Sequence, residues 1–217
     1  MNDKRRNPNK PKLPKNFAPE TITQLESQGE YALVEISGCN LVGQSAGNVL
    51  FEEVSLRNTI FTGSRLPKLR FLDVRLEGCD LSGAFLEEAR FRRVEFVGCR
   101  LLGVQLLSAQ LDDVNFKECN LEGAIFASSQ TKALTYEDCV LRNATFEGAN
   151  LEGATFKLCD LTDVDLRGTN LQETDFRGSM LDGLQVSAKD MQGAIISPTQ
   201  AIQVASLLGV TVMDEEL

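Results

Sequence analysis

Residues 144–161 read Ala-Thr-Phe-Glu-Gly-Ala-Asn-Leu-Glu-Gly-Ala-Thr-Phe-Lys-Leu-Cys-Asp-Leu, and their large apolar members Phe146, Leu151, Phe156 and Leu161 stand five residues apart. The register runs outward in both directions without slipping. Of the 33 positions from Ile36 to Ile196 in steps of five, only Thr131 is polar and only Ala46 is small. Helices repeat about every 3.6 residues and strands every two. A period of five held over this length therefore marks a solenoid, in which each unit buries its apolar face against its neighbours.

A second inward position lies two residues before each of these. Of its 33 occurrences, 28 are Ala, Cys, Ser, Thr or Val, the exceptions being Gln44, Leu69, Leu134, Leu184 and Lys189. Each unit thus offers one large and one small side chain to an interior and turns its other positions outward. Cys79, Cys99, Cys119, Cys139 and Cys159 are spaced by 20, and Cys39 keeps their phase with Thr59 between. Twenty is four fives, so one coil has four sides. The same arithmetic stacks Phe96, Phe116, Tyr136, Phe156 and Phe176 in one column and Leu81, Leu101, Leu121, Leu141 and Leu161 in another. Gly83, Gly103, Gly123 and Asn143 beside the leucine column suit corners that need positive φ.

Gly-Ala-Asn-Leu-Glu at 148–152, Gly-Ala-Thr-Phe-Lys at 153–157 and Cys-Asp-Leu-Thr-Asp at 159–163 resemble the A-(D/N)-L-x-x units of the pentapeptide repeat family. The resemblance covers roughly residues 31–196. It implies an all-β solenoid, a right-handed quadrilateral β-helix, to which the spacing adds a length of about eight coils. The flanks differ in character. Residues 1–20 combine Lys4, Arg5, Arg6, Lys10, Lys12 and Lys15 with four prolines, the composition of a flexible basic tail. Residues 21–30 are expected to cap the first coil, with a short helix over 20–28. In residues 197–217, Ser197-Pro198-Thr199-Gln200 reads as the N-cap and capping box of a short α-helix. Ile202, Ala205 and Leu208 form its apolar stripe, Gly209 ends it, and Val210-Thr211-Val212 alternates like a strand. Such an element caps the last coil or joins a second copy, with Ile202, Ala205, Leu208, Val210 and Val212 as the candidate dimer contacts.

Catalytic chemistry finds little footing. The chain has no His, so no Ser-His or Cys-His pair exists. The glycines are distributed corners rather than a phosphate loop. The cysteines read as small core residues: sulfurs one coil apart are too far for a disulfide, and a linear column does not converge on a metal. No cofactor is expected, and no apolar run approaches the ~20 residues that span a bilayer. Free buried thiols and the lack of a secretory signal point to the cytoplasm. Thr131, with Ser128, Ser129, Gln130, Lys132 and an oversized Leu134, marks a bulge, a partner contact or a packing defect.

The net charge of −9 is unevenly spread: +4 over residues 1–20, −5 over 21–56, +3 over 57–100 and −11 over 101–217. The basic stretch places Arg70, Arg90, Arg92 and Arg93 on one side of the coil. The leading expectation is a rigid protein–protein interaction surface for an unidentified protein, with a plain scaffold as another reading. Resemblance to the quinolone-resistance type of pentapeptide repeat protein implies a third: a homodimer, joined at its C-terminus, that binds DNA gyrase by imitating duplex DNA, with drug protection as a consequence. Asp163, Asp165, Glu173, Asp175 and Asp182, all outside the inward register, are the candidate acidic surface. Direct nucleic-acid binding and membrane contact are not expected.

Overall fold

The computed structural model describes residues 7–213. Lys4, Arg5 and Arg6 of the basic tail and the acidic Asp214, Glu215 and Glu216 lie outside the described residues. The strands are β1 Ala18–Glu20, β2 Glu30–Ala32, β3 Val34–Ser37, β4 Leu50–Arg57, β5 Arg70–Glu77, β6 Arg90–Val97, β7 Gln110–Lys117, β8 Gln130–Glu137 and β9 Thr155–Lys157, followed by helix α1 Pro198–Leu207. They form one parallel nine-stranded sheet, and from β3 onward each strand pairs with the one 20 residues on, as Phe51 does with Phe71 and Phe71 with Phe91. The two remaining sides of the coil are held by bridges at the same interval, such as Asn40 to Ile60 to Asp80 and Ser45 to Arg65 to Phe85. The product is a parallel β-solenoid of about seven turns with one short C-terminal helix. Eight were expected from the register. The chain leaves the coil over residues 187–193, where Asp190 accepts the Ser187 hydroxyl and amide and Met191 donates to the Ser187 carbonyl.

The corners explain the outer sequence. From Ile36 to Leu181 the residue two places after each large inward side chain takes a left-handed φ, as at Gly83, Gly103, Gly123 and Asn143 (62°, 60°, 67° and 56°). Asp73, Arg93 and Asp113 adopt the same conformation at the bend of β5, β6 and β7 (56°, 53° and 57°). A left-handed φ is uncommon without glycine, so the stacked coils hold these residues there.

Inside, the aromatic column stacks. Ring centroids are 4.6 Å apart for Phe96–Phe116, 4.9 Å for Phe116–Tyr136, 4.9 Å for Tyr136–Phe156 and 5.2 Å for Phe156–Phe176. Phe126 and Phe146 form a second stack at 4.8 Å and meet the first edge-on. Such offset and edge-to-face pairs add ~0.5–1.5 kcal/mol beyond area burial. The six cysteines are free and buried in their column. Each of the later thiols reaches carbonyls of its own and the preceding coil, as Cys139 Sγ does to Glu137 O (3.3 Å) and Phe116 O (3.4 Å). The flanking sulfurs of Cys139 and Cys99, together with burial, push the Cys119 thiol up.

Along the coil and at its N-terminal end, three expectations are corrected. Thr131 is no bulge: β7 and β8 pair continuously through Leu111↔Thr131 and Val114↔Leu134, and the Thr131 hydroxyl donates to Asn150 O at 2.8 Å. Residues 20–28 form no helix; β1 pairs with β3, and Ile22 and Leu25 bury themselves on the open first coil. Residues 7–17 do not trail away from the rod. The Lys12 amide donates to Asp73 Oδ1 at 2.8 Å, and the amide and side chain of Asn9 donate to the two oxygens of Asp113 at 3.0 Å each. Prolines keep this segment extended, so little entropy opposes its docking.

At the other end, Ser197 and Gln200 make the expected capping box. Gln200 goes further: its Nε2 donates to Phe176 O and Ser179 O, both at 2.7 Å, and so closes the last coil. The inward face of α1 is Gln200 and Val204, with Leu207 and Leu208 packed beside them; Ile202, from the apolar stripe, is 55% exposed. Residues 210–212 form no strand, because the Val210 amide turns back to Ala205 O.

Denaturant unfolding tests the packing. Phe116→Ala is expected to cost ~3–5 kcal/mol through the cavity it opens, and Glu118→Ala to change stability by less than ~0.5 kcal/mol. Among the described residues the buried Tyr136 hydroxyl has no hydrogen-bond partner, so Tyr136→Phe should gain ~1 kcal/mol by removing an unsatisfied group. Equal losses for Phe116→Ala and Glu118→Ala would refute the inward register. A thiol reagent should label none of the six cysteines in the native protein, and all six after denaturation without reductant.

Candidate interaction surfaces

The residue one place before each large inward side chain lies along the outer ladder, and an Asp there accepts the amide two residues ahead. Asp165 Oδ1 takes the Arg167 amide at 3.0 Å and Asp175 Oδ1 takes the Arg177 amide at 3.1 Å. The same arginines then fold back onto these carboxylates, with Nη2–Oδ2 distances of 2.6 Å and 2.8 Å. Arg167 holds the Asp165 carboxyl below its usual range, outweighing burial. Asp175 is itself buried. These two carboxylates are therefore largely neutralised where they stand.

Asp163 and Asp182 are exposed and Glu173 is half-buried, and none of the three makes an ion pair among the described residues. Asp163 and Asp182 are brought together on the side centred on Leu161 and Leu181, where the Asp163 amide donates to Asp182 O at 2.9 Å. Asp165 lies on the side of Leu166, Glu173 on that of Leu171 and Asp175 on that of Phe176. The five acids thus occupy all four sides and form no single stripe.

The arginine group divides as well. Arg70 and Arg90 are opposite each other across β5 and β6 and line a shallow cleft of about 390 Å³ with Asn48, Lys68 and Glu88. Arg92 is exposed beside them. Arg93 turns away into a fork on Asp73, Nε to Oδ1 at 2.6 Å, and is only 14% exposed. At the C-terminus, Val210, Val212 and Met213 join Ile202 as exposed apolar side chains, while Ala205 is half-buried and Leu208 packs on the rod.

Sequence reasoning missed Asn9, Lys12, Asp73 and Asp113, the residues that seat the N-terminal segment; the signal for them was the proline triplet at Pro8, Pro11 and Pro14. It also missed that Asp-x-Arg at 165–167 and 175–177 is a local ion-pair motif. Among the described residues, no group of three or more His, Cys, Asp or Glu is placed to hold a metal ion, and no helix is long and apolar enough to cross a membrane.

The pattern described as pentapeptide repeat region matches residues 69–146, and that described as pentapeptide repeats (8 copies) matches residues 137–157 and 159–197. No curated protein matches by sequence. Among solved structures, a trypsin-treated form of QnrB1, a plasmid-mediated fluoroquinolone resistance protein, is similar with a TM-score of 0.60 at 17% identity, covering 90% of this chain and all of that one. Full-length QnrB1 gives a TM-score of 0.45 at 21% identity over 89% of this chain and all of that one. HetL, a pentapeptide repeat protein involved in heterocyst differentiation regulation from the cyanobacterium Nostoc sp. strain PCC 7120, gives 0.32 at 19% identity over 84% of this chain and 91% of that one. With two family patterns running from residue 69 to residue 197 and a four-sided parallel coil beneath them, the chain belongs to the pentapeptide repeat family.

Proposed function

We propose that this chain is a non-catalytic, rigid protein-interaction rod. The unbroken register carries the reading: inward side chains fill the interior from Ile36 to Leu184, and the outer sides are flat ladders with no insertion to build a cleft over reactive groups. Catalysis needs a concave pocket with convergent groups, whereas repeated flat faces suit recognition by extended contact. The test is side-specific. A partner captured from the source cell should be lost on charge reversal at Asp163 and Asp182 or at Glu173, and kept on reversal at the opposite side. Equal loss from both sides would contradict recognition by one face.

A second reading is modulation of DNA gyrase. It is favoured by the fold likeness to QnrB1 and by the −11 charge over residues 101–217. In this reading exposed carboxylates stand in for phosphates. The purified protein should then inhibit gyrase supercoiling or protect gyrase from a quinolone, less so as salt rises. Replacing Asp163, Glu173 and Asp182 by amides should abolish the effect without stranding an arginine, and replacing Arg90 and Arg92 should not weaken it. No effect at a large molar excess removes this reading.

The rod in this proposal is a homodimer joined through exposed Ile202, Val210 and Val212. Deleting the helix is a poor test, because Gln200 and Val204 close the last coil. Ile202→Asp with Val212→Asp should instead convert a micromolar dimer to a folded monomer in sedimentation. A wild-type monomer would reduce α1 to a cap.

A further inference from the structure

Residues 7–15 are three triplets, Asn-Pro-Asn, Lys-Pro-Lys and Leu-Pro-Lys. The segment crosses the coils along the rod axis, over the corner where β5 to β7 bend. Pro8, Pro11, Pro14 and Phe17, three residues apart, are all half-buried, whereas Asn9, Lys12 and Lys15, each following a proline, are exposed. A period of three is that of the polyproline helix, which has three residues per turn and advances ~3.1 Å per residue.

The rod supplies a matching spacing. The Asn9 amide meets Asp113 and the Lys12 amide meets Asp73. Three residues of strap thus span two coils. One turn of polyproline helix is ~9.3 Å long and two coils of a parallel ladder are ~9.6 Å, so the two periods agree within a few tenths of an ångström. Acceptors two coils apart in this column meet successive turns of the strap in the same orientation. Between them, Arg93 occupies the intervening coil and forks onto Asp73. Burial opposes charge on Asp73, but the Arg93 guanidinium and the Lys12 amide outweigh it and hold the carboxyl below its ordinary value of 3.8. The acceptor is ionised throughout the neutral range. Farther along, Pro8 and Lys10 lie over Glu95, Asn115 and Thr135, leaving a shallow gap of about 190 Å³.

Each feature has a recognition role. Proline fixes the extended backbone in advance and offers no amide of its own, so the one amide that must face the rod belongs to the residue after it. Lysines fit a corner whose column carries Glu53, Asp73 and Asp113. We propose that the corner column bearing Asp73 and Asp113 is a recognition site for extended basic segments with proline at every third residue, occupied here in cis by residues 7–17 as a built-in competitor. The ligand in trans is a segment of another protein with that chemistry. The site is separate from the acids of the C-terminal half, so its failure would leave the interaction-rod reading standing.

A tethered competitor acts at a roughly millimolar effective concentration, and the test uses this in the full-length chain. Asn9→Pro with Lys12→Pro removes both donated amides and alters nothing in the rod. A fluorescent peptide of residues 7–17 is titrated against wild type and this variant by anisotropy. The opened variant should bind the peptide at least tenfold more tightly than wild type. Asp113→Asn in the opened variant, or alanine for the three prolines in the peptide, should weaken binding at least fivefold. In wild type, the Asn9 and Lys12 amides should exchange with solvent at least tenfold more slowly than those of Lys10 and Leu13. Equal binding by wild type and opened variant, equal binding of the alanine peptide, or unprotected Asn9 and Lys12 amides would each overturn the proposal.

Discussion

The structure depends on one constraint: each coil closes in twenty residues, so that every ladder amide meets a carbonyl one coil away. Ile60 donates to Cys39 O at 2.9 Å while its own carbonyl accepts from Leu41 at 2.7 Å, and the pattern repeats down the rod. One inserted residue would send every later inward side chain to the outside, as a register slip does in any sheet. Constant coil length also forces like position onto like position. Rings then stack on rings and thiols on thiols. Charged columns need alternating sign, and Asp73–Arg93, Arg75–Glu95 and Glu137–Lys157 provide it at a separation of 20. The more exposed of these, such as Glu137–Lys157, contribute only ~0–1 kcal/mol, but all three replace like-charge contacts that would cost stability. Arg70 and Arg90 break the rule, directly opposite each other across two strands.

The interior was legible because it is periodic. The spacing of Ile36 to Ile196 and of the cysteines gives inward positions, coil length and columns without any tertiary information. The capping box of Ser197 and Gln200 was legible because it is local. What was left open or failed has non-local causes. The face that α1 turns inward was left open: Ile202 and Val204 are equally apolar on the helix, and only the place where Gln200 enters the last coil decides it. Thr131 reads as a defect until Asn150 O, on the next coil, satisfies it. The basic composition of residues 7–17 suggests disorder, since the acceptors that seat them are 61 and 104 residues away. For the candidate acidic surface, position outside the core was readable, but neutralisation of Asp165 and Asp175 was not read, although the Asp-x-Arg spacing carried it.

A filled interior leaves function to the outer positions and the ends. The outer positions are freer chemically, yet they inherit the coil spacing of the core. Any ligand lying along the rod therefore meets side chains at multiples of ~4.8 Å. Three residues of an extended strand span ~9.9 Å and fit two coils as closely, but a strand alternates its faces, so the third residue on presents the opposite side to the rod. Two coils match one full polyproline turn, and that turn returns the same ligand face to the rod. The constraint that stacks phenylalanines inside thus makes the outside a ruler with a preference for proline-spaced chains, and the protein's own N-terminus is laid along it with its Asn9 and Lys12 amides on the two carboxylates that the ruler spaces.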